Sequence, residues 1–204
     1  VQTCALPISL SQERIRTHWL SANYSQIAEA TDPYANAVTG DSPILWMRMQ
    51  ESDPGNTTVT NAGSLGSAAN GTRSFPDYKV AGSPIPTVGA VPSPTKTGAT
   101  GYLFDGTAGI ISIPYSSTLN QAIIPATIGT TQDATKPFTV EMWAYYLTVP
   151  TAGYDLAGIY NGPGQYNWLL EGINAQLCFY PGSGKGACYS NAITTGKWLH
   201  IVAT

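Results

Sequence analysis

Charged residues are scarce in this chain of 204 residues, because Asp, Glu, Lys and Arg make up only 10% of it, against roughly a quarter in typical soluble domains. The net charge is −3 and no Lys or Arg cluster occurs. Since a phosphate backbone requires concentrated positive charge, we expect no nucleic acid partner. No apolar run approaches the roughly 20 residues of a spanning helix, so we expect no membrane insertion.

Histidine is also nearly missing, with His18 and His200 as its two occurrences. Neither has a second His, Cys or carboxylate at the spacing of a zinc site. Neither lies in a motif that would place a serine nucleophile beside it. We expect His200 to hydrogen-bond within its own sheet.

The first nine residues call for separate treatment. VQTCALPI, at positions 1–8, resembles the translation of a widely used sequencing adapter, with Ser9 at the junction. This resemblance predicts an artefact at 1–9 in a metagenomic fragment, and the alternative is a natural apolar segment. Foreign segments are excluded from fold prediction, which removes Cys4 from the cysteine count.

Residues 138–147 show the clearest strand pattern. Phe138, Val140 and Met142 alternate with Thr139, Glu141 and Trp143, the period of two expected for a strand. Neither face is fully polar. We therefore expect that both faces of this strand are covered or bind something.

Two short helices precede most of the strands. Residues 10–24 have a capping Ser11 and place Ile15, His18 and Trp19 on one helical face. A single short amphipathic helix must pack on something to be stable. Residues 25–33 form a linker, and a second helix is predicted at 33–40.

Most of the remaining chain indicates short strands separated by Gly, Pro and Asn turns. Residues 51–100 are predicted to be mainly loop, with short strands near 57–61 and 88–91. A hairpin is predicted from 102–106 and 109–115, joined by Asp105-Gly106. The other expected strands lie at 44–49, 155–161, 168–172, 176–180, 187–190 and 197–204. This pattern predicts an all-β, antiparallel β-sandwich. Because the last strand is unfinished, we expect a truncated C-terminus.

Three stretches together resemble the laminin-G-like, concanavalin-A-like jelly-roll family of bacterial surface and phage-associated proteins. They are SPILWMRMQE at 42–51, GYLFDG at 101–106 with ISIP at 111–114, and FTVEMW at 138–143 paired with WLHIVA at 198–203. The resemblance covers about 34–204. The helix at 10–24 is similar to the one that closes a preceding copy of the domain.

The resemblance implies a module of a secreted or surface-displayed tandem-repeat protein, without an enzymatic role. Its expected function is adhesion through carbohydrate or protein binding, with a glycan, an extracellular protein or neighbouring repeats as partners. The expected location is extracellular, at the cell surface or on a virion. The alternative function is a structural spacer or phage tail component that binds no small ligand.

Cys178 and Cys188 flank a Gly-rich stretch that fits a hairpin loop centred near Ser183. In that hairpin the two cysteines face each other across the strands, and we expect a disulfide that implies an oxidising location. The alternative is a pair of reduced core cysteines.

A sandwich glycoside hydrolase needs two carboxylates about 5 to 10 Å apart. Glu141 is the single acidic residue of its strand, because positions 143 and 145 are Trp and Tyr. Alternation would place a partner there or beyond on the same face. Hydrolysis is therefore disfavoured.

Family members often bind calcium at the sandwich rim through carboxylate, amide and backbone oxygens. Asp155, Asn161 and Asn167 are the candidate metal ligands in the matching region. The position near 166–167 where the family suggests an acid is an amide here. Turn formation by Asp and Asn is the alternative explanation.

Tyrosine is abundant, with 12 Tyr against 4 Phe, and rings with a polar tip suit stacking on sugars. The best cluster for ligand binding is Tyr154, Tyr160, Asn161, Gln165 and Tyr166. Sheet-surface packing explains the same residues equally well.

Overall fold

The computed structural model describes residues 2–6, 9–24, 33–49, 51, 56–74, 102, 104, 109–114, 137–162, 165–182 and 185–204. Within these residues the chain forms two α-helices, α1 (Gln12–Tyr24) and α2 (Pro33–Gly40), and eleven strands. The strands are β1 (Gln2–Leu6), β2 (Leu45–Met47), β3 (Thr58–Val59), β4 (Gly71–Arg73), β5 (Ile111–Ser112), β6 (Thr139–Tyr145), β7 (Tyr154–Gly162), β8 (Gln165–Ile173), β9 (Gln176–Gly182), β10 (Lys185–Tyr189) and β11 (Trp198–Ala203).

The first sheet has the strand order β11-β6-β1-β2, and all its neighbours run antiparallel. In β6, residues 139–144 are all buried. This confirms that something covers both faces of the strand. Val140 and Met142 lie on what we call the inner face, while Glu141 and Trp143 lie on the outer face.

The second sheet is the meander β7-β8-β9-β10, in which each strand pairs antiparallel with the next. The strands predicted from 155 onward are all present, with small differences at their ends. Trp168 and Leu170 of β8 share a buried cluster with Val140 and Met142 of β6. The two sheets therefore pack on each other, and the fold is β-rich and sandwich-like.

The third sheet is small, with the order β3-β4-β5. The second strand of the predicted hairpin is present in part as Ile111–Ser112, and it pairs with Gly71–Arg73. Most of the predicted partner at 102–106, with the Asp105-Gly106 turn, lies outside the described residues. Tyr102 lies outside any strand: it is buried, its hydroxyl donates to Glu51 Oε2 at 2.6 Å, and the Arg73 guanidinium lies over its ring. Side-chain contacts therefore hold Tyr102 in place. The short strand predicted near 57–61 is found as β3, whereas β4 lies in a stretch predicted to be loop. The strand predicted at 88–91 lies outside the described residues.

The two predicted helices are both present and cover the outer face of the first sheet. α1 begins after Ser11, whose Oγ accepts a hydrogen bond from the Arg14 main-chain N–H at 3.3 Å, the expected N-cap contact. His18 is fully buried, whereas Trp19 is 47% exposed. Trp19 was predicted to share the packed face of α1 with His18, and this is wrong, because Trp19 is exposed to solvent. The helix contacts the sheet through His18. Neither described helix is long and apolar enough to cross a membrane.

Residues 2–6 occupy a position that their sequence did not indicate. They form β1, which pairs with β6 on one side and with β2 on the other. These residues resemble an adapter translation, yet in the fold they lie between β2 and β6, the longest strand of the first sheet. Residues 2–6 are thus paired within the first sheet, and α1 contacts the same sheet through His18.

Candidate functional site

Glu141 lies at the centre of a buried polar cluster on the outer face of the first sheet. Its side chain is fully buried. Oε1 accepts hydrogen bonds from the Tyr34 hydroxyl at 2.9 Å and from His200 Nε2 at 3.0 Å. Oε2 lies 2.6 Å from His18 Nδ1. Because an ionised carboxylate can only accept, each of these three groups acts as a donor.

Both histidines of the chain thus meet on one carboxylate. His18 comes from α1, and His200 comes from β11, the strand next to Glu141 in the sheet. The expectation that His200 hydrogen-bonds within its sheet is confirmed. Glu141, His18, His200, Tyr34 and Asp41 are called the Glu141 cluster below.

The second nitrogen of His18 faces another carboxylate. Nε2 lies 2.8 Å from Asp41 Oδ2, at ion-pair distance but without the alignment of a linear hydrogen bond. Asp41 follows α2 directly and is also paired with Arg14 of α1 through its Oδ1. The ring of His18 is therefore held between two acidic side chains.

Burial and pairing act in opposite directions on these groups. Burial alone would raise the pKa of Glu141, but hydrogen bonds from His18 and His200 outweigh it and lower that pKa from 4.5 to about 2. Burial alone would lower the pKa of His18, but the hydrogen bond to Glu141 and the charges of Glu141 and Asp41 raise it above 6.5. Both shifts favour an imidazolium paired with carboxylates.

An aromatic layer encloses the cluster. The Trp143 ring stacks on His200 with 4.6 Å between centroids, and Tyr34 contacts both Trp143 and His18 edge-on. Trp143 and Trp46 are buried in one cluster with Leu10, Tyr34 and Val38. Beside it, a groove of about 830 Å³ separates α1 from β11 and is bordered by Trp19, Trp198 and His200.

This geometry leaves Glu141 no access to a substrate. The side chain has no exposed surface, and both of its oxygens are already bonded to protein donors. General acid and base catalysis requires the group to reach the reacting atom. Within the described part of the chain, no group of three or more His, Cys, Asp or Glu side chains is arranged to hold a metal ion.

The predicted ligand-binding residues are divided between two ends of one hairpin. Tyr160, Asn161, Gln165 and Tyr166 lie near the closed end of β7 and β8, where Tyr160 pairs with Tyr166 and Gly162 with Gln165. Tyr154 lies at the opposite end of β7, opposite Gly172, and is 40% exposed. The structure therefore brings four of the five together and places Tyr154 apart.

The predicted metal ligands are divided in the same way. Asn161 and Asn167 lie near the closed end of the hairpin, whereas the exposed Asp155 pairs with Glu171 at the other end. Asn161 is six positions after Asp155, which corresponds to about 20 Å along a strand. A calcium ion takes its oxygen ligands at about 2.3 to 2.6 Å, so Asp155 does not join Asn161 and Asn167 in this arrangement.

Cys178 and Cys188 lie directly opposite each other on β9 and β10. Their sulfur atoms are bonded in a disulfide. Cys178 is buried, whereas Cys188 lies on the exposed edge strand of the second sheet. The bond therefore ties the edge strand to its neighbour.

The Glu141 cluster is the feature that sequence reasoning missed. The signal was present in part, since the chain has two histidines, and Glu141 is the one acid of a strand with two apolar faces. The sequence does not indicate that these residues meet in space, because His18 is 123 residues from Glu141 and His200 is 59 residues from it.

Comparisons of the chain with protein-family models, with curated proteins and with solved structures found no match.

Proposed function

We propose that this chain is a non-catalytic binding module with a jelly-roll fold of the laminin-G-like, concanavalin-A-like type. It belongs to a secreted or surface-displayed tandem-repeat protein and binds a glycan or an extracellular protein. The sequence motifs at 42–51, 101–106 and 138–143 support the fold. The packing of two antiparallel four-stranded sheets is consistent with it.

The enclosure of Glu141 supports a role without catalysis. A glycoside hydrolase of this architecture would expose two carboxylates to the sugar. Glu141 is instead sealed under α1 and α2 and bonded to three protein groups. Its local chemistry is that of a structural ion pair.

The hairpin of β7 and β8 supports a binding role. Tyrosine and amide residues occupy neighbouring positions at its closed end, and these residue types hold sugars by ring stacking and hydrogen bonding. The disulfide between Cys178 and Cys188 agrees with an oxidising location outside the cell.

A glycan array probed with the full chain, with and without added calcium, tests this proposal. We expect binding to one glycan class, which Tyr166→Ala at the closed end should weaken at least tenfold. Tyr189→Ala is the matched control, since Tyr189 is 76% exposed but lies on β10, outside the predicted cluster.

The outcomes separate the competing functions. Binding that survives Tyr166→Ala but is lost in Tyr154→Ala would move the site to the other end of the hairpin. Loss in Tyr189→Ala alone would move it to β10. No binding under either condition favours the structural spacer, and release of reducing sugar would overturn the proposal.

A further inference from the structure

We propose that α1 is held on the sheet by a charged His18, so that raising the pH releases this helix from the outer face. The inference does not depend on what the module binds. It is carried by the position of one imidazole ring between two carboxylates.

The position of His18 between two carboxylates favours a proton on each of its ring nitrogens. Nδ1 lies 2.6 Å from Glu141 Oε2, and Nε2 lies 2.8 Å from Asp41 Oδ2. An ionised carboxylate offers only lone pairs, so a neutral imidazole would set one of its own lone pairs against an oxygen. The buried ring has no exposed surface through which water could relieve that contact.

The charges around the ring come from every element packed against it. Glu141 faces it from β6 and Asp41 from the turn after α2, while Arg14 of α1 pairs with Asp41. His200 of β11 and the Tyr34 hydroxyl of α2 both donate to the other oxygen of Glu141. With His18 charged, two cations of α1 face two carboxylates.

When His18 loses a proton, its ring keeps one N–H and therefore one donor. Either Glu141 or Asp41 then faces a ring lone pair in place of an N–H, which is unfavourable for a buried contact. Arg14 pairs with Asp41, but its side chain is 38% exposed. α1 also packs against α2, and the hydrogen bond of His18 to Glu141 joins it to β6 of the sheet.

The sign of the pH effect follows from the raised pKa. In the released helix His18 has an ordinary pKa near 6.5, whereas in the seated helix the pKa is higher. The seated state therefore binds more protons, and its stability is complete below pH 6.5 and falls as the pH rises toward the seated pKa. Over that interval the opening constant of α1 rises about tenfold for each pH unit.

Hydrogen–deuterium exchange of the full chain between pH 6 and pH 9 measures this opening, after correction for the intrinsic rate at each pH. We expect the amides of α1 to lose protection as the pH rises above 6.5, about tenfold per unit until the seated pKa of His18 is reached, while those of β8 and β9 keep theirs. Constant protection of α1 would overturn the proposal, and so would simultaneous loss in α1 and in the first and second sheets.

Two substitutions at one position give a matched pair. His18→Lys keeps a positive charge across this range, so protection of α1 should become independent of pH. His18→Gln has no charge, so α1 should exchange at least tenfold faster at pH 6. His200→Gln is the control, because His200 also bonds Glu141 but does not belong to α1, and the pH dependence of α1 should survive in it.

A measurement on the unaltered chain covers the case in which these variants fail to fold. Nitrogen-15 NMR of the histidine rings distinguishes an imidazolium from either neutral tautomer. We expect His18 to be doubly protonated at pH 6.5 and to titrate together with the loss of α1 protection. A neutral His18 ring at pH 6.5 would refute the proposal that a charged His18 holds α1 on the sheet.

Discussion

Replacing Glu141 with Gln should remove a large part of the stability of this fold. The amide keeps the shape of the side chain but replaces one accepting oxygen with a donor. Tyr34, His18 and His200 all donate to the carboxylate, so the amide N–H₂ must face at least one donor. The result is a buried donor pair without an acceptor.

Two independent routes give a similar magnitude. Breaking a buried ion pair by altering one partner typically costs about 3 to 5 kcal/mol. Lowering the pKa of Glu141 from 4.5 to about 2 corresponds to about 3 kcal/mol in favour of the charged form. We expect Glu141→Gln to lose about 3 kcal/mol, a substantial fraction of the roughly 5 to 15 kcal/mol of a typical domain.

Urea denaturation at pH 6, followed by tryptophan fluorescence and far-ultraviolet circular dichroism, measures the loss. Glu13→Gln is the control, because Glu13 is an exposed acid on α1. That change should stay within about 0.5 kcal/mol. A loss below 1 kcal/mol in Glu141→Gln would show that the cluster contributes little.

The pH profile gives a second test of the same reasoning. The pKa of Glu141 is lowered in the folded chain, so its contribution is complete above pH 4.5 and is lost as the pH falls toward 2. The unaltered chain should therefore lose its advantage over Glu141→Gln between pH 4.5 and pH 2. Two stability curves that remain parallel across this interval would refute the assignment of the lowered pKa to Glu141.

Three further changes have expected effects that urea denaturation can measure. Reduction of the bond between Cys178 and Cys188 should lower stability by about 2 to 3 kcal/mol, the range expected for a short closed loop; an unchanged midpoint in reductant would contradict this. Ala175→Gly should raise stability by about 1 kcal/mol, since Ala175 has a φ of 64° in the turn between β8 and β9, where glycine is unstrained; a lower midpoint would contradict it. Asn61→Ala should cost about 2 to 3 kcal/mol, because its buried Oδ1 accepts from two main-chain N–H groups at 2.8 Å; a loss below 1 kcal/mol would contradict it.

Local patterns in the sequence predicted the regular elements well. The second helix is found at its predicted bounds, Pro33–Gly40, because Asp41 and Pro43 follow it directly. Alternation over 138–147 predicted β6, which the structure gives as Thr139–Tyr145. A Gly-rich loop between strands was enough to place Cys178 opposite Cys188. In each case the determining interactions lie within about ten residues.

The associations between distant segments were not predictable in the same way. Ile111–Ser112 pairs with Gly71–Arg73 across a long intervening stretch, while the turn residues Asp105-Gly106 favoured a nearer partner. The alternating pattern also placed Glu141 on a definite face of β6, but it did not predict which element covers that face. The covering helix comes from the other end of the chain, and no local signal connects them.

The position of β1 shows a further limit of local patterns. Residues 2–6 were excluded from fold prediction because of their resemblance to an adapter, but backbone pairing depends little on side-chain identity. Any extended segment with free N–H and C=O groups can fill a gap between two strands. β1 occupies such a place between β6 and β2, and α1 follows it onto the outer face.

The position of α1 on the sheet is determined more strictly by the Glu141 cluster than by the surrounding aromatic layer. Rings such as Trp46 and Trp143 make broad apolar contacts that change gradually as a helix slides. A shift of one helical turn would move His18 by about 5 Å, which breaks its contacts with both Glu141 and Asp41. Apolar residues could have filled the same volume at similar stability. The buried charges therefore discriminate between helix positions that hydrophobic contact alone would leave close in energy.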